Sequence, residues 1–127
     1  MEHLALTTAT HSSNKFTFNT GTSLQAASFI TYSDERLKDN IETLDNALDT
    51  VQKLRGVSYD WKADGSADIG FIAQEVKQVV PALVHGSDEK GYAMDYPSMN
   101  AILVEAVKQQ QGQIENLRKI VESLKDK

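Results

Sequence analysis

The thirty residues from Ser98 to Lys127 constrain the fold most strongly, because they carry a heptad repeat. They contain one glycine and no proline, and Pro97 stands just before them at a position that suits a helix start. One set of residues recurs at alternating spacings of four and three, which is the a/d pattern of about three coiled-coil heptads. This set, called the seam below, consists of Leu103, Val107, Gln110, Ile114, Leu117, Val121 and Leu124. The sequence therefore predicts a long C-terminal helix with one apolar edge.

Two kinds of partner could cover the seam: the helix's own domain, or copies of the same helix. The polar Gln110 favours copies, since a polar seam residue often fixes the register of a coiled coil. The seam also continues into the final residues, where an isolated helix would fray. β-branched residues at a with leucine at d nominally favour two strands, so the pattern alone does not predict a trimer.

The composition excludes several classes of function. The chain has 127 residues and no cysteine, so a disulfide framework, a thiolate zinc site and a cysteine nucleophile are impossible. The net charge of −5 comes without a basic block, which argues against binding to nucleic acid or to an anionic membrane. No apolar run approaches the roughly 20 residues that span a bilayer. We expect a mildly acidic, soluble domain with an arm, without a metal site or cofactor.

The chain before Ser33 differs in composition from the chain after it. Residues 1–32 hold one acid, one base and many hydroxyl side chains, and residues 16–19 alternate as a short strand does. We interpret residues 1–32 as an extended, β-rich arm, the end of a longer β-rich protein, and residues 33–127 as the folded domain.

Apolar residues recur every three or four positions over residues 37–54, which predicts a helix that Gly56 ends. Thr43 or Asp45 could instead cap a shorter helix that begins near residue 44. Residues 57–61 alternate as a strand does and lead into a turn at residues 64–66.

The next segments continue this mixture of helix and strand. Residues 71–80 form an amphipathic pattern that Pro81 stops, which predicts a short helix. Residues 83–84 and 92–94 could pair as strands across the loop between them. Together with the C-terminal helix, these segments predict an α+β domain with a small mixed core.

Ser33 and Lys38 lie at the change in composition and could supply a nucleophile and its base. A lysine takes the hydroxyl proton only when it is neutral, which requires a pKa lowered from about 10.4 towards 7–8. Five residues of α-helix turn about 500°, which leaves the two side chains about 140° apart around the axis. Either residues 33–38 are extended or looped, which we favour, or the lysine acts on a neighbouring chain. A plain helix N-cap at Ser33 is the alternative interpretation.

Four separated blocks, residues 33–41, 54–62, 69–76 and 96–108, together resemble a known family. The blocks are similar in content and order to the C-terminal intramolecular chaperone domain of bacteriophage tail spikes, tail fibres and neck appendages, the peptidase S74 family. The resemblance covers residues 33–127 and leaves the arm outside.

The resemblance implies a self-cutting serine peptidase with a Ser-Lys dyad. By position, Ser33 would be the nucleophile and Lys38 its partner. The bond cut would adjoin Ser33; we favour Tyr32–Ser33, and Ser33–Asp34 remains open. Glu75 is a candidate supporting acid, although a solvated helix glutamate explains it equally well.

The same resemblance implies a homotrimer whose interface is the seam, acting on the upstream fibre or appendage of its own chain. It would assemble in the host cytoplasm and leave the mature virion protein after the cut. Two alternatives stay open: a permanent oligomerisation cap without cleavage, and the equivalent self-cleaving domain of a membrane-tethered transcription factor.

Overall fold

The computed structural model describes residues 9–12 and 15–127, and the chain divides into two units, of which the first ends at Asp39. In the first unit, β1 (Ala9–Ser12) and β2 (Lys15–Phe18) pair antiparallel, with Ala9 opposite Phe18. From residue 19 to residue 34 the chain forms no helix or strand. Residues 1–8 and 13–14 of the predicted arm lie outside the described residues.

The second unit is a mixed domain of short strand pairs and helices. Its elements in order are α1 (Ala47–Gln52), β3 (Val57–Asp60), β4 (Ala67–Gly70), α2 (Ala73–Val79), a 3₁₀ turn (Pro81–Leu83), β5 (Val84–Ser87), β6 (Gly91–Met94) and α3 (Met99–Lys125). β3 pairs with β4 and β5 with β6, both antiparallel. The predicted α+β class and the long C-terminal helix are confirmed.

The core of this unit lies where α1 and α2 meet the first turns of α3. Its buried side chains are Ala47, Val76, Leu83, Met99, Ile102 and Ala106. Three of them lie on one face of α3, because positions three and four apart share a face of a helix. Beyond Gln109, every residue of α3 is exposed. The core therefore uses only the beginning of α3.

α1 begins only at Ala47, so a helix over all of residues 37–54 is wrong in its first half, and the shorter helix predicted to begin near residue 44 is closer to the structure. Asn40 and Asn46 adopt positive φ angles of 53° and 54°, in the left-handed region that asparagine tolerates better than most residues. Such residues interrupt a right-handed helix. Leu37, Ile41 and Leu44 are consequently exposed instead of lying on one buried stripe.

The N-terminus of α1 is capped from a distant part of the chain. Asn46 makes no side-chain cap, and the backbone N–H of Leu48 donates to Oε1 of Gln109 on α3 at 2.9 Å. Neither Thr43 nor Asp45, the two caps that the sequence suggested, stands at the N-cap position. α1 is thus held to α3 by this hydrogen bond as well as by apolar packing.

The two hairpins show one confirmed prediction and one omission. β5 and β6 pair as the sequence indicated, with Val84 opposite Met94. The turn after β3 was predicted, but β4 was not, because its four residues include one large apolar side chain, Ile69. At the end of β4, the ring of Tyr96 packs closely over Gly70, and the Tyr96 hydroxyl accepts the N–H of Phe71 at 3.0 Å.

Candidate catalytic dyad

Residues 33–38 form a tight turn in the first unit. The segment from Glu35 to Leu37 is a single 3₁₀ turn, and the Asp34 side chain caps it by accepting the Arg36 backbone N–H at 2.8 Å. Backbone bonds of 3.0 Å from Leu37 to Asp34 and from Lys38 to Glu35 close the turn. Lys38 then has φ −127° and ψ 143°, so the chain is extended again after one turn.

This turn brings the two predicted dyad residues into contact. Nζ of Lys38 donates to Oγ of Ser33 across 2.6 Å, within one chain. A regular α-helix would hold these side chains apart, whereas a 3₁₀ turn followed by an extended residue does not follow the α-helical step. The non-helical geometry that we favoured from the sequence is the geometry that permits this contact.

Arg36 engages Asp34, the acid that directly follows Ser33 in sequence. Its Nε lies 3.0 and 3.2 Å from the two carboxylate oxygens of Asp34, and its Nη2 lies 2.7 Å from one of them. Hydrogen bonds from the Arg36 side chain, and then from its backbone, lower the pKa of Asp34. Among the ion pairs of the described residues, none includes Lys38. The lysine is thus in contact with a hydroxyl and not with a carboxylate.

The dyad is open to solvent in the single chain. Ser33 and Lys38 are exposed, and the preceding Tyr32, whose carbonyl belongs to the predicted cleavage bond, is 91% exposed. A lysine accepts a proton only when its amine is neutral, and exclusion of water favours the neutral form. The two side chains are therefore in contact, while the turn itself supplies no surroundings that exclude water.

Glu75, the predicted supporting acid, lies on α2 and binds a guanidinium. Its two carboxylate oxygens accept Nε and Nη2 of Arg55, each at 2.9 Å. This hydrogen bonding is the main cause of the lowered pKa of Glu75. Arg55 was not identified from the sequence, because the two residues are 20 positions apart. A role for Glu75 beside the dyad stays a prediction.

The seam lies on α3 and is uncovered in the single chain. Its six apolar residues are between 40% and 62% exposed, and Gln110 is exposed as well. Ile114, Leu117 and Val121 line one apolar hollow along the helix, flanked by Arg118 and Glu122. The face of α3 that packs in the core is a different one, offset by one residue from the seam. An interface between copies along the seam stays a prediction.

An aromatic hollow forms a second concave surface, in the second unit. Its rings are Tyr59, Trp61, Phe71, Tyr92 and Tyr96, around a volume of about 550 Å³. The rings of Tyr59 and Trp61 meet edge to face, with centroids 5.2 Å apart. The side chains that line the hollow include no serine–lysine or histidine–acid pair.

Neither a metal-binding cluster nor a membrane-spanning helix is present in residues 9–12 and 15–127. That part of the chain contains no group of three or more His, Cys, Asp or Glu residues able to hold a metal ion. None of its helices combines the length and the apolar character that a membrane crossing requires.

Comparison with known proteins identifies a family and several relatives that this chain resembles. Residues 33–85 match the family described as chaperone of endosialidase, Peptidase_S74, and the match begins at Ser33. Long tail fiber protein Gp37 of Enterobacteria phage K3 is 40% identical over 95 residues, which cover 67% of this chain and 8% of that protein. The Gp37 of Enterobacteria phage T2 is 40% identical over 95 residues, covering 67% of this chain and 7% of its own length.

A more distant relative is the Gp37 of Salmonella phage S16, which is 30% identical over 105 residues. That similarity covers 74% of this chain and 14% of the relative. The chain thus spans about a tenth of the length of the tail fibre proteins that it matches.

Proposed function

The chain belongs to the Peptidase_S74 family, the chaperone of endosialidase, and on this premise we propose that it is a self-releasing folding module of a phage fibre. In this proposal, three copies associate through the seam and hold the upstream fibre segments of their own chains in register. After the fibre has folded in the host cytoplasm, each copy cuts itself off beside Ser33. The relatives support the fibre context, since all three are named as long tail fibre proteins.

The contact between Ser33 and Lys38 carries the proposal of self-cleavage. With the amine neutral, Nζ takes the hydroxyl proton while Oγ bonds to the carbonyl carbon of Tyr32. The bond between that carbon and the Ser33 nitrogen then breaks, and the nitrogen leaves as an amine that has gained a proton from the lysine. Water hydrolyses the resulting ester, which frees the Tyr32 carboxylate and restores the serine hydroxyl.

Ring size favours the Tyr32–Ser33 bond over the Ser33–Asp34 bond. Attack on the Tyr32 carbonyl closes a ring through Oγ, Cβ, Cα, N and the carbonyl carbon. Attack of Ser33 on its own carbonyl would omit the nitrogen and close a smaller, more strained ring. Attack by the Ser33 hydroxyl on a carbonyl of its own chain therefore favours cleavage between Tyr32 and Ser33.

Assembly would supply the water-excluding surroundings that the dyad lacks in the single chain. The dyad is exposed, whereas burial is what favours the neutral lysine that can act as a base. The apolar residues of the seam are also exposed, and burying them between copies of the chain would stabilise the assembly. We therefore assign the water-excluding surroundings of the dyad to the assembled state, which would also delay the cut until assembly.

The test is the intact mass of the purified protein beside the Ser33→Ala and Lys38→Ala variants. We expect two fragments that meet at Ser33 in the parent and the full-length chain in both variants. The fragment masses identify the bond, since cleavage before or after Ser33 moves one serine between them. A Ser33→Ala variant that is still cut at this position would refute the dyad. An assembled parent that stays whole would instead indicate a permanent oligomerisation cap.

A further inference from the structure

Three acids lie close to Lys38 in sequence: Asp34, Glu35 and Asp39. A carboxylate beside a lysine stabilises its charged form and so opposes its use as a base. A self-cleaving dyad in such a sequence needs a device that keeps these acids from pairing with the lysine. The structure shows such a device for the acid that lies next to Ser33.

The carboxylate of Asp34 is saturated by Arg36. It receives the backbone N–H of Arg36 at 2.8 Å and three further hydrogen bonds from Nε and Nη2 at 2.7 to 3.2 Å. The backbone bond caps the 3₁₀ turn, and the side-chain bonds form a two-pronged clamp that a guanidinium makes with a carboxylate. The Asp34 side chain therefore has two separate properties: it caps the turn, and its charge is neutralised by Arg36.

We propose that Asp34 and Arg36 are positioning residues for the dyad. Asp34 fixes the turn that returns Lys38 to Ser33, and Arg36 neutralises the carboxylate so that it does not stabilise the protonated lysine. This inference rests on the proposed self-cleavage and adds two residues to it. Arg36 acts through Asp34, since its guanidinium is committed to that carboxylate.

Substitutions can separate the two effects. Asp34→Asn keeps an oxygen that can cap the turn but loses the charge, whereas Asp34→Ala loses both. Arg36→Gln keeps the backbone N–H and leaves the Asp34 carboxylate unpaired. The double variant Asp34→Asn/Arg36→Gln keeps an oxygen that can cap the turn and carries no charge at position 34 or 36. Glu42→Gln is the matched control, because it removes one negative charge from an exposed acid outside the turn, and no described hydrogen bond or ion pair includes the Glu42 side chain.

The experiment measures the rate of cleavage of the assembled protein for each variant across a range of pH. Asp34→Ala should cut about tenfold or more slowly at every pH, because small misplacements of reacting groups are costly. Asp34→Asn should restore most of that loss. Arg36→Gln should be about twofold to fivefold slower at neutral pH, the scale of an exposed charge pair, and should approach the parent at alkaline pH. The double variant should follow the pH profile of the parent.

Hydrogen exchange of the Arg36 amide, measured in a Ser33→Ala background, reports the cap without any cleavage. Asp34→Ala should speed this exchange relative to Asp34→Asn, because both lose the charge and only one loses the acceptor. Unchanged exchange, or an Asp34→Ala variant that cuts as fast as the parent, would overturn the positioning role of Asp34. An Arg36→Gln variant slowed equally at all pH values would overturn the charge role of Arg36. An assembled parent that is never cut overturns the proposed function itself, and the inference with it.

Discussion

Leu117 offers the most direct test of the seam, because its contribution to assembly can be worked out from its exposure. In the single chain 60% of this residue is exposed, on the part of α3 that makes no contact with the core. Full burial of a leucine stabilises by about 1.5–3 kcal/mol, so covering the exposed part would contribute about 1–2 kcal/mol in each chain. Three copies give about 3–5 kcal/mol for a trimer, which corresponds to about 10²–10⁴-fold in the association constant.

Leu117→Ala should therefore weaken association by that factor and leave the fold of each chain unchanged. Sedimentation equilibrium on the Ser33→Ala background, which keeps the chain whole, measures the association constant directly. Lys119→Ala is the matched control, since Lys119 is exposed on α3 but does not belong to the seam. Circular dichroism of both variants checks that the helix is retained in the associated state.

Equal association constants for Leu117→Ala and Lys119→Ala would refute the contribution of Leu117 to the interface. A parent that is monomeric at all accessible concentrations would refute the seam interface as a whole. A parent that forms dimers would retain the seam as an interface but contradict the trimer, and it would agree with the β-branched a positions.

Three further predictions concern the second unit. Ile102→Ala, at a position that is 7% exposed, should lower the free energy of unfolding by about 2–5 kcal/mol in urea melts, and a loss below 1 kcal/mol would contradict the assigned core. Gly70→Ala should destabilise by steric overlap with the Tyr96 hydroxyl, and Gly70→Ala/Tyr96→Phe, which removes that oxygen, should recover part of the loss. The hydrogen bonds from Arg55 lower the pKa of Glu75. They therefore stabilise the folded chain at pH values above the ordinary glutamate pKa, and this stabilisation is lost as the pH falls through the lowered pKa of Glu75. In Glu75→Gln the free energy of unfolding should consequently fall less steeply at acid pH than in the parent. An equally steep fall would contradict the pairing of Glu75 with Arg55.

The sequence predicted those parts of the fold that depend on local patterns. Pro97 and the unbroken stretch after it predict α3, and Pro81 correctly ends α2. The strand pair around residues 84–94 also follows from local alternation and a glycine-bounded loop. Periodicity alone did not decide between a helix over residues 37–54 and one that begins near residue 44, because it does not reveal that Asn40 and Asn46 adopt left-handed angles.

Contacts between distant residues could not be predicted in the same way. The cap that Gln109 gives to Leu48 joins positions 61 residues apart, and nothing in the local pattern of either segment indicates it. The pairing of Arg55 with Glu75 likewise depends on how β3 and α2 are placed by the core. The Asp34–Arg36 clamp is local, but the sequence gives equal reason to pair Asp34 with Lys38, and only the shape of the turn decides between them.

α3 carries two apolar stripes side by side, and this explains why the pattern alone could not assign its partner. Residues Ile102 and Ala106 belong to the stripe that packs in the core, while Leu103 and Val107, one position later, belong to the seam. A helix that is apolar over so wide an arc has more surface to bury than the small core of one chain can cover. The first stripe therefore serves folding and leaves the second available for association. If the dyad becomes a working catalyst only in the associated state, the chain must fold around the first stripe and associate through the second before it is cut. Folding, assembly and release then occur in that order.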